Sequence, residues 1–193
     1  ENPDNFPVPT SLRGCEIVTK VDGSLLCICK YKSHLTVRTR GTIDASQIDN
    51  GFEIAILKEK YPRVFSNDII NAENATILCE WTTPTNRIVL DYGSEPELHL
   101  VGVVNHDDYS LWEQSSLDAL ALSLGVKRPK TWAFNSLSEL LLTVEVWEEE
   151  EGVCLYSKNG KEIHKIKAAS YLVKHRFKAN ANIETVVDLF CDF

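Results

Sequence analysis

From position 15 onward, short apolar runs are separated by short polar gaps. This is a strand-like pattern. It predicts strands over 15–19, 25–31 and 35–39, and the short polar gaps between them predict hairpins and antiparallel pairing. Ile48, Phe52, Ala55 and Ile56 then recur at helical spacing, predicting an amphipathic helix over 45–60. Strand patterns return at 77–81, 87–92 and 97–104. Leu117, Leu120, Ala121 and Leu124 share one helical face, predicting a helix over 112–124. Ser136 and Glu139 have capping-box spacing ahead of Leu140, Leu141, Val144 and Trp147, which predicts a helix over 137–148. Further strands are expected at 153–157, 162–168 and 171–175, and a last helix from Asn182 that buries Ile183, Val186, Val187 and Phe190. Strands joined by hairpins, rather than regular strand–helix alternation, indicate an α+β fold with antiparallel β-sheets flanked by helices. Residues 1–14, with three prolines, read as an extended lead-in to one domain over 15–193.

Composition adds limits to this picture. The chain has 193 residues, 44% hydrophobic and 25% charged. At this size about 70% of the unfolded surface is buried on folding, so a rigid site needs neither disulfides nor structural metal. Six cysteines lack C-x-x-C or zinc spacing, and four lie in apolar strand-like runs. They read as reduced core thiols, which places the chain in a reducing, cytoplasmic compartment. No apolar run approaches membrane-spanning length.

The net charge of −8 argues against a surface that binds nucleic acid throughout. Charge is distributed unevenly, however. Five glutamates fall in 145–151, whereas seven Lys/Arg and a single glutamate fall in 158–178. The basic stretch suits a polyanion, and equally a solvated strand face.

Candidate chemistry centres on Lys20. It follows an apolar strand and precedes Asp22, Gly23 and Ser24, at a turn where Gly23 permits a positive φ and close approach of a ligand. Arg40 closes a strand, Glu80 ends another before Pro84, Glu151 precedes Gly152 and Val153, and Lys165 and Lys167 share a strand face. Singly, these residues also suit a plain hairpin, a surface charge, a strand end, a helix end and a solvated face.

In this order they resemble the nucleotidyltransferase motifs of the covalent ligase and capping-enzyme superfamily, and most closely those of phage-type single-strand RNA ligases. Lys20-Val21-Asp22-Gly23-Ser24-Leu25 is similar to the family's nucleophile motif. Glu80-Trp81-Thr82-Thr83-Pro84-Thr85-Asn86-Arg87-Ile88-Val89-Leu90 is similar to its glutamate motif and the segment after it. Glu151-Gly152-Val153, Lys165-Ile166-Lys167 and Tyr171 complete the set, and the likeness covers about 15–178.

The resemblance implies the nucleotidyltransferase (ATP-grasp-like) ligase core, with ATP and Mg2+ (or Mn2+) as cofactors. Lys20 is then the nucleophile that forms lysyl-AMP. AMP moves on to an RNA 5′-phosphate, and a 3′-hydroxyl displaces it to seal the strand. It places Asp22, Gly23, Arg40, Glu80, Glu151, Lys165, Lys167 and Tyr171 against ATP, Glu80 on the ribose, and Glu151 on the metal as well. A lysine must be neutral to attack phosphorus, and its ordinary pKa is near 10.4. Arg40, Lys165 and Lys167 are therefore expected to lower the pKa of Lys20 and to stabilise the α-phosphate charge. The family's upstream arginine segment is not matched, and the chain ends soon after the last motif, so an excised catalytic core is expected. A DNA ligase, a capping guanylyltransferase and a non-catalytic nucleotide- or RNA-binding module remain as alternatives.

Overall fold

The computed structural model describes residues 10–45, 52–157 and 161–180. Its architecture is α+β, built on two four-stranded antiparallel sheets. The strands are β1 (Cys15–Thr19), β2 (Ser24–Tyr31), β3 (His34–Thr39), β4 (Ala75–Thr82), β5 (Glu97–Asn105), β6 (Thr131–Trp132), β7 (Gly152–Ser157) and β8 (Ile163–Lys167). The first sheet has the order β6-β1-β7-β8 and the second β3-β2-β4-β5. The helices are α1 (Phe52–Lys60), α2 (Pro62–Phe65), α3 (Asp68–Asn71), α4 (Leu117–Leu124), α5 (Leu137–Glu145) and α6 (Ala169–Asn180).

β2 and β3 form the expected hairpin, turned by Lys32 and Ser33, both at positive φ. β1 and β2 do not pair with each other. β1 lies between β6 and β7, and β2 between β3 and β4, so 20–23 is a link between sheets and not a hairpin turn.

β2 and β4 bury Leu26, Ile28, Ile77, Cys79 and Trp81 in one core with Leu57 of α1, Val64 of α2 and Leu117 and Ala121 of α4. Burial of each such aliphatic side chain contributes about 1.5–3 kcal/mol. β7 is buried on both faces. Val153 and Leu155 meet Ile17 and the α5 residues Leu140 and Val144. Cys154 and Tyr156, on the opposite face, meet Val18 and Leu111. The Glu16 carboxylate of β1 accepts hydrogen bonds from the Gln114 and Ser115 N–H groups (2.6 and 3.0 Å), tying the first sheet to the turn that leads into α4. α5 begins at the predicted Ser136 cap, with the return bond made one residue earlier than in a regular capping box. Ser136 Oγ accepts from the Glu139 N–H at 3.1 Å, while the Glu139 carboxylate accepts from the Asn135 N–H at 2.7 Å.

Two expected strands are not strands. Within 87–92 the N–H groups of consecutive residues Val89 and Leu90 both donate to one oxygen of Asp22, at 2.8 and 2.7 Å. Successive N–H groups of a strand point in opposite directions, so this segment is a loop wrapped on a side chain. Residues 171–175 belong to α6 instead, where Tyr171 stacks on His175 one helical turn away (5.8 Å between centroids). The short helices α2 and α3 and the two-residue strand β6 have too few residues to show a period. Of the helix expected over 45–60, 52–60 is observed. Residues 46–51 of it, and the helix expected from Asn182, lie outside the described residues.

Candidate active site

Lys20 leaves β1 with its backbone N–H donating to the Gly152 carbonyl at 2.8 Å. This sets the lysine beside the entry to β7, where Glu151 precedes Gly152. Lys20 Nζ lies 2.7 Å from Glu151 Oε2, and Lys167 Nζ of β8 lies 3.3 Å from Glu151 Oε1. Glu151 is 1% exposed, so two ammonium groups hold a buried carboxylate. Gly152 makes the junction possible. Its φ is +146°, and a Cβ there would sit 2.0 Å from the Ile166 carbonyl oxygen.

Glu80, near the end of β4, is the third charge in this group. Burial pushes its carboxyl up to about 7, the neighbouring Lys20 charge pulling down and Glu151 and Asp22 pushing up. The Gly23 backbone hydrogen-bonds to it. Gly23 is required for close approach rather than for its φ, because a Cβ would lie 2.4 Å from the Trp81 carbonyl oxygen and 3.1 Å from Glu80 Cγ. What approaches Gly23 in this structure is β4 itself.

The expectation that cations lower the Lys20 pKa is reversed in the free protein. Burial does pull the amine down, but the charge and hydrogen bond of Glu151, with Cys154 and Glu80 adding to it, leave Lys20 above the ordinary lysine value. Sequence order named the cations and could not reveal that Glu151 lies closer than any of them. Arg40 is exposed just past β3, and no ionic contact among the described residues links it to Lys20, Glu80 or Glu151. Lys165 faces Cys154 across the β7–β8 ladder, two residues before Lys167 on the same strand face. It opposes the burial that pushes the Cys154 thiol up to about 11.

Asp22 is 4% exposed, and both its oxygens are engaged by the protein. Oδ2 accepts from Val89 and Leu90 as above, and Oδ1 accepts from the Tyr171 hydroxyl at 2.7 Å. The Asp22 N–H donates to the Tyr92 hydroxyl at 2.8 Å. Lys178 of α6 donates to the Arg87 carbonyl at 2.6 Å and to that of Ile88. Asp22 thus joins the link between the sheets to the 87–92 loop and to α6. Tyr171 is buried, with Lys167 Nζ 5.6 Å from its ring centroid. Burial, and the Asp22 carboxylate it bonds to, hold its hydroxyl well above the usual phenol range. Tyr92 went unmarked in the sequence because it lies in no charged pattern, and Lys178 was counted only as one cation of the 158–178 basic stretch, with no role of its own. A small cleft beside Asp22 is lined by Thr82, Thr83, Asn86, Leu90 and Tyr92.

A lysine on the link between two antiparallel sheets, paired to a buried carboxylate, is the candidate centre of the site. Residues 10–181 match the family described as RNA ligase, and the chain belongs to that family. It is 28% identical over 177 residues to an Autographa californica nuclear polyhedrosis virus protein carrying the name bifunctional polynucleotide kinase/RNA ligase, across 86% of this chain and 24% of that protein. Among solved structures it is similar to a Naegleria gruberi RNA ligase variant with ATP and Mn (TM-score 0.67, 16% identity, 84% of this chain and 51% of that one). A second variant, with AMP and Mn, gives a TM-score of 0.68 at 17% identity, over 86% of this chain and 53% of that one. The chain therefore spans about half the length of these solved relatives and about a quarter of the viral protein. No described helix is long and apolar enough to cross a membrane.

Proposed function

We propose that this chain is the adenylyltransferase core of an ATP-dependent RNA ligase, with Lys20 as its nucleophile. The observation that carries the reading is the Lys20–Glu151 pair at 2.7 Å on the link between the sheets, within the family's own motif. In the first step the Lys20 amine, having lost its proton, attacks the α-phosphorus of ATP. A P–N bond forms, the bond to the β-phosphate oxygen breaks, and pyrophosphate leaves. A 5′-phosphate oxygen of RNA then attacks the same phosphorus, the P–N bond breaks, and the amine recovers a proton. Finally a 3′-hydroxyl attacks the activated 5′-phosphate and AMP leaves.

The residues divide this work between them. Glu151 keeps Lys20 charged and docked while the site is empty, so the arriving triphosphate must separate them. Lys167, already beside Glu151, is placed to turn toward the phosphates and balance their charge as pyrophosphate departs. Lys165 and Arg40 extend the positive field along the approach. Glu80 meets the ribose, while Asp22 and Gly23 fix the turn and Tyr171 braces Asp22.

The described residues hold no cluster of three carboxylate, imidazole or thiolate side chains. The donor set still fits a hard divalent ion, Mg2+ or Mn2+, that takes one protein carboxylate and fills its shell with phosphate oxygens and water. Glu151 would be that carboxylate, and such an ion would supply charge neutralisation at the α-phosphate.

Incubation with α-labelled ATP and Mg2+ should leave a covalent label, stable in alkali and lost in acid as a P–N bond requires. It should be absent from Lys20→Ala and released by 5′-phosphorylated RNA. Nucleotide or RNA binding without any covalent label would overturn the reading. Labelling by GTP in place of ATP, or discharge by nicked DNA alone, would move the chain to a capping or DNA-joining role.

A further inference from the structure

A second buried carboxylate, outside the Lys20 cluster, organises the segment that follows Glu80. Glu53, in the first turn of α1, is 2% exposed. Its Oε2 accepts from Trp81 Nε1 at 2.7 Å, and its Oε1 accepts from Thr83 Oγ1 at 3.2 Å and from Thr85 Oγ1. Thr83 Oγ1 and Thr85 Oγ1 lie 2.9 Å apart, each with its single hydrogen directed to Glu53. No cation among the described residues pairs with Glu53. A buried carboxyl group without a cation partner is satisfied only by directional donors that replace its lost water, so these donors cannot move far without a large cost. All three come from one stretch of five residues, 81–85.

That stretch touches the nucleophile's link at two points. Trp81 turns its indole to Glu53 on the core side, while its carbonyl oxygen packs against Gly23. Asn86, just beyond Thr85, donates from Nδ2 to Ser24 Oγ at 3.1 Å. Glu80, one residue before Trp81, points to the opposite face of β4, as strand alternation requires. We infer that Glu53 is a positioning residue for nucleotidyl transfer: through Trp81, Thr83 and Thr85 it sets Glu80 and the Gly23–Ser24 link relative to each other. The catalytic part of this inference rests on the function proposed above.

Two measurements test it. Glu53→Gln keeps the shape but presents an amide N–H₂ to donors that need an acceptor. In hydrogen exchange on this variant, the Gly23 and Ser24 amides and those of Thr82, Thr83, Thr85 and Asn86 should exchange at least about tenfold faster, with β7 and β8 unchanged. No change at Gly23 and Ser24, or equal acceleration in both sheets, would overturn the inference, and this readout needs no activity. In self-adenylation, Glu53→Gln should raise the KM for ATP about tenfold, Thr85→Val should raise it less, and Glu53→Gln should add nothing in a Glu80→Ala background. A KM equal to wild type in Glu53→Gln, or a full additive effect on top of Glu80→Ala, would show that Glu53 only stabilises the fold. A wild-type chain that takes no label defeats the ligase reading, and the exchange result still decides the role of Glu53.

Discussion

Glu151 and Glu53 are buried to the same degree, at 1% and 2% exposed, yet the two halves of the molecule hold them by opposite means. In the first sheet Glu151 is gripped by the ammonium groups of Lys20 and Lys167. Beside the second sheet Glu53 is gripped by an indole N–H and two hydroxyls. Ion pairs are weakly directional and exchange one anion for another, so a carboxylate held by lysines can yield to a phosphate that arrives with its own charge. Neutral donors are directional and have no such substitute, so a carboxylate held by them keeps its geometry. The first arrangement suits a site whose charges rearrange during a reaction cycle, and the second suits the frame that must not. Asp22, held by two backbone N–H groups and a tyrosine hydroxyl, belongs with the frame.

The contrast breaks most visibly at Glu151. Glu151→Gln removes the counter-charge of both lysines, and the rate of covalent labelling from ATP should fall about 100- to 1000-fold. A single-turnover labelling rate close to wild type would mean that the ion pairs are incidental. Asp22→Asn leaves buried donors facing an amide, and the loss should appear in stability as about 2–4 kcal/mol in urea denaturation. If labelling fell without any loss of stability, Asp22 would belong to the rearranging site and not to the frame.

Glu80 sits between the two classes, and its titration sharpens the comparison. Below the usual carboxylate value of 4.5 both folded and unfolded chains keep the proton. Between 4.5 and about 7 the unfolded chain releases it while the folded chain retains it, so rising pH favours unfolding. Stability attributable to Glu80 should therefore fall across that window by on the order of 2 kcal/mol and level off above it. Glu80→Gln should flatten this part of the profile in urea titrations at pH 5 and pH 8, and an unchanged slope would place its charge elsewhere. Tyr171→Phe removes one of three donors to Asp22 and carries the smallest expected effect, about 1 kcal/mol in the same assay. A loss as large as that of Asp22→Asn would show that the tyrosine, not the backbone, carries the frame.

Most of the strands were legible because short apolar runs bounded by polar gaps report buried strands, as in Cys15–Thr19, Ser24–Tyr31 and Glu97–Asn105. The capped helix at Ser136 was equally legible, because the cap is a local contact. The failures have different causes. At 87–92 the apolar run Ile88-Val89-Leu90 looks like a strand, but its N–H groups are claimed by Asp22, some 67 positions away. At 171–175 the β-prone trio Tyr171-Leu172-Val173 is carried into a helix by the helix-forming residues that follow it. At 87–92 a partner beyond the local window decides the backbone, and at 171–175 the residues that follow do.

The sequence by itself determined the α+β class and the antiparallel sheets, and through its resemblance to a known family it named Lys20, Glu80, Glu151 and Lys167 as candidates. Only the tertiary structure decided how those candidates are wired. It turned the 20–23 segment from a hairpin into a bridge between sheets, reversed the expected direction of the Lys20 shift, committed Asp22 to the 87–92 loop and α6, and brought in Glu53. Each of those outcomes depends on distance and burial, and electrostatic strength follows separation in space, not separation along the chain.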